Sequence, residues 1–550
     1  VSKHEFDAMS LPLLQSASVV LRPDEAVSLE AFGQLVLERV PVTLSDATRA
    51  RVQRAKDALD ALVADRALIY GVTTGYGPLA TEYIAPEQCE TLQRNLIYHL
   101  CAGVGEPFSD LHTRAIMAAR LISLSQGYSA LRPKTLERLA TFLNRNILPE
   151  IPEMGTVGAS GDLTPLAHMA LTLLGEGFVR YEGRRRSSVE VLAECGLPPL
   201  TLEAKEGLAL VNGTSAMTGV AAVNAVFARR LHDWGLRLSV LFAELMSAKA
   251  DAYHPLLAQV RPHPGQLAVV ERLRALTAGS TRLQGDGGRP ARLAPGSGAD
   301  DGILHAQAIV QDPYTLRCVP QIYGAIEDVL RFHDGIVTTE LNAVTDNPVF
   351  FPAAEQDDDC LVLHGGNFYG QHVAFASDAL AGAVTKLALH AERVVARITD
   401  PKLNGERFPA FLQADRLGLQ SGLMGAQVTA SAVVAEMRAL ATPAAIQSVP
   451  TNANNQDVVS MGTIAARKAA KALDLACYVL AVEALALVQA FELAGGFQPE
   501  TGRTFSPASQ RLARWLREQV AFISEDRPLA PDLSALAAGL RQSPAILERQ

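Results

Sequence analysis

Apolar residues recur at helical spacing through most of this 550-residue chain. Val52, Ala55, Leu59 and Leu62 predict a helix over Ser45 to Ala64, with Ser45 or Asp46 able to cap its start. A stretch from Tyr70 to Pro78, Tyr-Gly-Val-Thr-Thr-Gly-Tyr-Gly-Pro, breaks the periodicity and predicts a loop. Three long segments follow, Thr214 to Ala250, Gln371 to Arg397 and Thr463 to Ala494, all rich in Ala, Leu and Val. Gly219 and Gly235 interrupt the first, and charges such as Arg229, Asp233, Lys386 and Lys468 recur in them. Long, small-residue, partly charged helices suit a bundle in which helices approach closely, and the charges argue against a membrane bundle. Strand signals are few, so the class is mainly α.

Composition agrees with a large core. Hydrophobic residues make up 48% and charged residues 19%, and this length exceeds a single core. The net charge of -9 argues against a general affinity for nucleic acid or anionic membrane. Six cysteines form no CxxC pair, which favours free thiols over a disulfide framework or a zinc site. The N-terminal stretch lacks the order of a signal peptide, so a cytoplasmic enzyme is expected. The apolar run Ala476 to Phe491 holds Glu483 and Gln489 and reads as too short and too polar for a membrane span. Gly279 to Gly302, with seven glycines, reads as a surface loop, and Asp357 to Asp359 as a solvated loop without calcium-loop spacing.

The chemistry concentrates between Gly155 and His168, Gly-Thr-Val-Gly-Ala-Ser-Gly-Asp-Leu-Thr-Pro-Leu-Ala-His. A lone Ala-Ser-Gly before Asp162 and Pro165 would be a turn capping a helix. The fourteen-residue string instead resembles the signature of the aromatic amino-acid ammonia-lyase family, which includes histidine, phenylalanine and tyrosine lyases and related aminomutases. The resemblance implies that Ala159, Ser160 and Gly161 cyclise without help into a 4-methylidene-imidazol-5-one ring (MIO). The Gly161 nitrogen attacks the Ala159 carbonyl carbon, and two waters leave. Glycine leaves its nitrogen unhindered, and Ser160 supplies a departing hydroxyl. Elimination of ammonia needs an electrophile that ordinary side chains lack. No pyridoxal lysine motif, nucleotide fingerprint or metal set stands out.

Separated blocks extend the resemblance over most of the chain. Tyr70 matches the base that takes the β-proton, a task that requires its phenol to ionise more readily than usual. Helix N-termini aimed at the site are the family's means to that end. Asn212 matches an amide against the ring; Asn212-Gly213-Thr214 is also a glycosylation sequon, improbable without a secretory signal. Tyr314 matches a hydroxyl donor near the ring. Arg317 matches the carboxylate clamp, a role that suits a planar guanidinium. The resemblance assigns Asn342 to the substrate carboxylate, Asn347 to support of the site, and Phe368 to packing beside the electrophile. Gln456 stands where histidine-specific members carry Glu. His99-Leu100 resembles the selectivity pair of tyrosine-specific members, in which a histidine bonds the phenol hydroxyl. Cys101 beside His99 has no protease context.

These matches imply a fumarase/aspartase-like superhelical bundle with a smaller N-terminal catalytic domain. The expected segments are 1–214 for catalysis, 215–495 for the long-helix bundle and 496–550 for a C-terminal helical part. A homotetramer with active sites shared among three subunits is expected, acting on a small aromatic amino acid with no metal or external cofactor. Tyrosine is the favoured substrate, giving trans-4-coumarate and ammonia. The alternatives are a tyrosine 2,3-aminomutase and a histidine or phenylalanine lyase. A catalytically dead scaffold is disfavoured by the intact tripeptide, Tyr70 and Arg317.

Overall fold

A computed structural model describes residues 18–285, 310–352, 360–498 and 502–548. Most of Gly279 to Gly302, and Asp357 to Asp359, lie outside these residues. The described chain is mainly helical, with four small sheets. The first expected helix spans Asp46–Ala64, and the Ser45 side chain caps it by accepting from Thr48 N at 3.1 Å. The long segments appear as Ser215–Leu245, Gln371–Ile398 and Gly462–Leu493. Two further helices that periodicity did not single out, Val319–Leu341 and Met424–Leu440, join them.

By packing, the chain forms two compact units. The first comprises 1–226, 332–379 and 443–470; the second comprises 227–331, 380–442 and 471–550. Four long helices contribute residues to both. The three stretches expected above follow chain order, and this division by packing does not run along them.

All four sheets lie in the first unit. Val19–Leu21 pairs in parallel with Val42–Leu44, and the other pairs are antiparallel. The hairpin Phe178–Tyr181 to Arg184–Ser187 turns on Glu182 and Gly183, both at positive φ as a tight two-residue turn demands. One core cluster joins Ala55 and Leu59 to Ile69, Val72, Ala130 and Phe350. Ile69 and Val72 thus anchor the loop on either side of Tyr70. Gly219, singled out by the sequence, lets two helices touch: a Cβ there would lie 2.6 Å from the Ala115 carbonyl carbon of helix Asp110–Ser125. In the second unit, Gly235 does the same beside Tyr323, whose hydroxyl would be 2.6 Å from such a Cβ.

The apolar run Ala476 to Phe491 lies in the C-terminal half of a 32-residue helix with a mean hydropathy of 1.7 over its most apolar stretch. Length and composition would therefore suffice to cross a bilayer, contrary to the sequence expectation. Packing gives it another place, since 89% of that stretch is buried inside the protein. All six cysteines are free thiols.

Candidate active site

The tripeptide sits in the first unit at the end of an irregular stretch, just before helix Leu163–Leu173. Ser160 and Gly161 both adopt left-handed backbone, φ 54° and 75°. Consecutive left-handed residues curl the chain into a tight turn. Gly161 must be glycine for a second reason: a Cβ would overlap the Gly213 carbonyl. Gly158 is similarly pressed on Ser460, and Met461 N donates to Val157 O at 2.9 Å. Ala159 packs against the cluster of Ala374, Val459, Met461 and Ala465. Thr156 Oγ1 donates to Gly161 O at 3.2 Å and accepts from Gly158 N at 3.0 Å.

Asn212 ends helix Glu206–Val211 and is almost wholly buried. Its Nδ2 donates to the Ser160 carbonyl at 3.0 Å. Its Oδ1 is buried without a partner among the described residues. An unsatisfied buried acceptor beside a strained turn marks a place where something else is meant to donate.

Helix N-termini gather around this turn. Helix Ser215–Leu245 begins beside Gly213, and Gly370 and Gly462, which open the Gln371 and Gly462 helices, both abut the Met217 side chain. Their partial positive charges favour anions at one spot. Asp162 answers them: it accepts from Met217 N at 2.7 Å and from the Thr463 hydroxyl. Burial nonetheless pushes its carboxyl up to about 6, against the pull of Thr463 and the helix amides. Sequence reasoning quoted Asp162 without assigning it a role; its position next to the tripeptide was the available signal. Arg120 was missed, being an isolated charge in the sequence. It is wholly buried, donates to Ala209 O, and is held by that burial down to about 10. Lys205 and Asp346 form a buried ion pair at 2.7 Å in the same unit.

Tyr70 lies half-buried on its anchored loop. Its hydroxyl accepts from Gly77 N at 2.9 Å, and its ring meets Tyr76 edge-on at 6.4 Å. Gln93, wholly buried and also missed, ties the loop down by donating to Gly71 O at 3.0 Å and Tyr76 Oη at 3.2 Å. Gly71 has φ 66°, and a Cβ would sit 2.7 Å from Leu208 Cδ2 and 2.8 Å from Tyr76 Cε1. Gly71→Ala is therefore expected to lower kcat at least about tenfold and to cost about 1–3 kcal/mol of stability. Parallel kinetics and melts check this; unchanged kcat would show that the loop tolerates displacement.

The loop around Gln456 reaches the same place. Thr451 and Gln456 pair through their backbones, and Thr451 Oγ1 bonds Gln456 Oε1 at 2.8 Å. Between them, Asn452 is so close to Gly77 that a Cβ there would lie 2.5 Å from its Nδ2. The structure therefore brings Tyr70, the tripeptide flank, Asn212 and the Gln456 loop into one continuous region of the first unit.

Other expected residues stand differently. His99 is exposed on helix Cys89–Leu100, and its Nδ1 faces its own Asn95 carbonyl at 3.0 Å. Leu100 is half-buried. The helix packs on both the Leu163–Leu173 and Glu206–Val211 helices, and the chain just beyond it, at Gly103, approaches Gly155 and Thr164. Asn347 Oδ1 accepts from Gly365 N at 2.7 Å, and Phe368 is half-buried in the turn before helix Gln371–Ile398. Asn342 departs from expectation. Its Oδ1 accepts from Val27 N at 2.7 Å, and its Nδ2 donates to Val27 O and Thr338 O at 3.0 and 2.8 Å. Both amide protons are spent on backbone, so no donor is open for a carboxylate. Asn342 ties the end of helix Val319–Leu341 to an upstream segment that the sequence could not show nearby.

Tyr314 and Arg317 belong to the second unit, on the one-turn helix Tyr314–Arg317. Tyr314 is exposed, and the Arg317 guanidinium carbon lies 4.6 Å from its ring centroid. Arg317 Nε is buried without a partner among the described residues. A cavity of about 510 Å³ in the first unit, lined by Arg51, Arg54, Tyr128 and Phe351 among others, contains none of the expected site residues. Among the described residues, no three His, Cys, Asp or Glu side chains cluster to hold a metal.

The comparisons place this helical protein, with its left-handed Ala-Ser-Gly turn, in the class of ammonia-lyases, which cleave carbon–nitrogen bonds. The family model for aromatic amino acid lyase matches residues 27–518, and the chain belongs to that family. It is 47% identical over 523 residues to a tyrosine ammonia-lyase of Cereibacter sphaeroides, covering 95% of this chain and 97% of the relative. It is 44% identical over 497 residues to a histidine ammonia-lyase of Symbiobacterium thermophilum, covering 90% and 91%. A MIO-dependent tyrosine 2,3-aminomutase of Streptomyces globisporus is 39% identical over 537 residues, covering 97% of each. The solved structure of the tyrosine aminomutase from Streptomyces globisporus superposes with TM-score 0.88 at 36% identity, covering 97% and 98%. The fold is thus the fumarase/aspartase-like helical fold, and the chain is a carbon–nitrogen lyase.

Proposed function

We propose that this lyase deaminates L-tyrosine to trans-4-coumarate and ammonia, using an MIO group that forms unaided from Ala159, Ser160 and Gly161. The observation that carries the proposal is the left-handed turn at Ser160 and Gly161, with Gly161 pressed on Gly213 and Asn212 bonded to the Ser160 carbonyl. A turn with no room for a side chain at its third residue fits a five-membered ring built from backbone. Asn212, Thr156 and Gly213 would hold that ring, which supplies an electrophilic methylidene carbon.

The remaining work falls to side chains. Arg317 binds the substrate carboxylate through two parallel donors. His99 bonds the phenol hydroxyl, and Leu100 and Phe368 pack on the rings. Tyr70 removes the β-proton, Tyr314 donates near the amine, and Asn347 and Gln456 line the site with neutral amides. A neutral Gln456 suits an uncharged phenol better than an imidazole gripped by charge. The helix N-termini beside Gly213, Gly370 and Gly462 stabilise negative charge that develops there. We further propose a homotetramer whose active sites draw on three subunits. Apolar Phe375, Val428, Ile446 and Val458 stand exposed on the single chain, in keeping with a need for partners.

The kinship with the Streptomyces aminomutase supports a second reading, in which ammonia returns to the β-carbon to give β-tyrosine. Incubation with tyrosine, phenylalanine and histidine, with every product identified, separates the readings. Coumarate as the main product of tyrosine is expected; β-tyrosine would favour the mutase, and urocanate from histidine would overturn the substrate assignment. His99→Phe is expected to shift kcat/KM from tyrosine toward phenylalanine by about 10²-fold or more, because the phenol loses its partner.

A further inference from the structure

The one-turn helix Tyr314–Arg317 carries an unmet backbone demand. In a helix, the carbonyl of Leu316 would accept from the N–H of residue 320, but Pro320 has none. Side chains from elsewhere in the second unit supply donors. Tyr253 Oη donates to Leu316 O at 3.0 Å, and His390 Nε2 contacts Thr315 O at 3.0 Å. A carbonyl only accepts, so His390 Nε2 carries the proton. Its Nδ1 then faces the Tyr323 hydroxyl at 3.5 Å as acceptor. His390, Tyr323 and Tyr253 are all buried. Upstream, the Asp312 carboxylate accepts from Lys249 N at 2.6 Å.

Arg317 comes directly after these two carbonyls. Its guanidinium rests on the exposed Tyr314 ring, and its Nε has no partner among the described residues. Its aim therefore depends on the backbone that bears it. We propose that Tyr253 and His390 are positioning residues for Arg317, holding the Thr315 and Leu316 carbonyls so that the guanidinium is set for a substrate carboxylate. The inference rests on Arg317 being the carboxylate clamp.

The test compares Tyr253→Phe, His390→Leu, His390→Gln and Arg317→Gln in the full-length protein. KM for tyrosine is measured with inhibition constants for trans-4-coumarate, which has the carboxylate, and 4-methylphenol, which lacks it. Tyr253→Phe and His390→Leu are expected to raise KM and the coumarate constant about tenfold, with kcat and the methylphenol constant within about twofold. His390→Gln, whose amide N–H can reach the same carbonyl, is expected to recover most of the loss. Tyr253→Phe removes only one oxygen, so it remains informative if His390→Leu folds poorly. Equal weakening of both inhibitors, or of neither, would overturn the inference. If Arg317→Gln raises the coumarate constant while Tyr253→Phe and His390→Leu do not, the positioning role alone falls. If Arg317→Gln leaves that constant unchanged, the clamp assignment falls with it.

Discussion

Ser160→Ala is expected to give a folded protein that has lost at least about 10³-fold in kcat for tyrosine, together with the near-ultraviolet absorbance of the ring. The fold should survive because Ser160 is only half-buried, and alanine meets the same backbone strain at φ 54° as serine does. Every bond that shapes the turn runs through backbone or neighbours: Asn212 to the Ser160 carbonyl, Thr156 to Gly161 O, and Asp162 N to Gly213 O at 2.8 Å. What disappears is the hydroxyl that must leave as water for the methylidene to form. Tyr70 and Arg317 would still bind and orient the substrate, so inhibition by coumarate should persist while turnover does not. The measurement is a difference spectrum, a melt and an assay on one preparation. Full activity in this variant is incompatible with the proposed chemistry.

The second large effect concerns stability. Glu483 is wholly buried in helix Gly462–Leu493, and neither carboxylate oxygen has a hydrogen-bond partner among the described residues. Burial alone pushes its carboxyl up to about 8. The native protein therefore holds this proton up to about pH 8, whereas the unfolded chain releases it near the ordinary glutamate value of about 4.3. Between those limits the native state binds more protons, so stability falls as pH rises, by on the order of 5 kcal/mol in total. Glu483→Gln keeps the shape and removes the titration. It should match the parent near pH 5 and be clearly more stable at pH 9. Melts of both proteins across that range decide the matter; parallel pH profiles would mean that the carboxyl stays charged and satisfied.

Sequence alone determined the helical class and supplied the candidate chemical centre. Helical spacing is a local property, and Asp46–Ala64, Gln371–Ile398 and Gly462–Leu493 lie close to where periodicity put them. The candidate tripeptide was legible because the proposed backbone cyclisation requires three adjacent residue types, so the whole requirement is written in one short string. Tertiary structure alone decided the long-range pairings. Asp162 meets Thr463 across 301 residues of chain, Asn342 spends its amide on Val27 across 315, and His390 reaches Thr315 across 75. Such pairings arise from which helix ends pack together, and no local pattern encodes them. Helix Gly462–Leu493 makes the same point about burial: its composition would serve a membrane or a core, and only packing distinguishes the two.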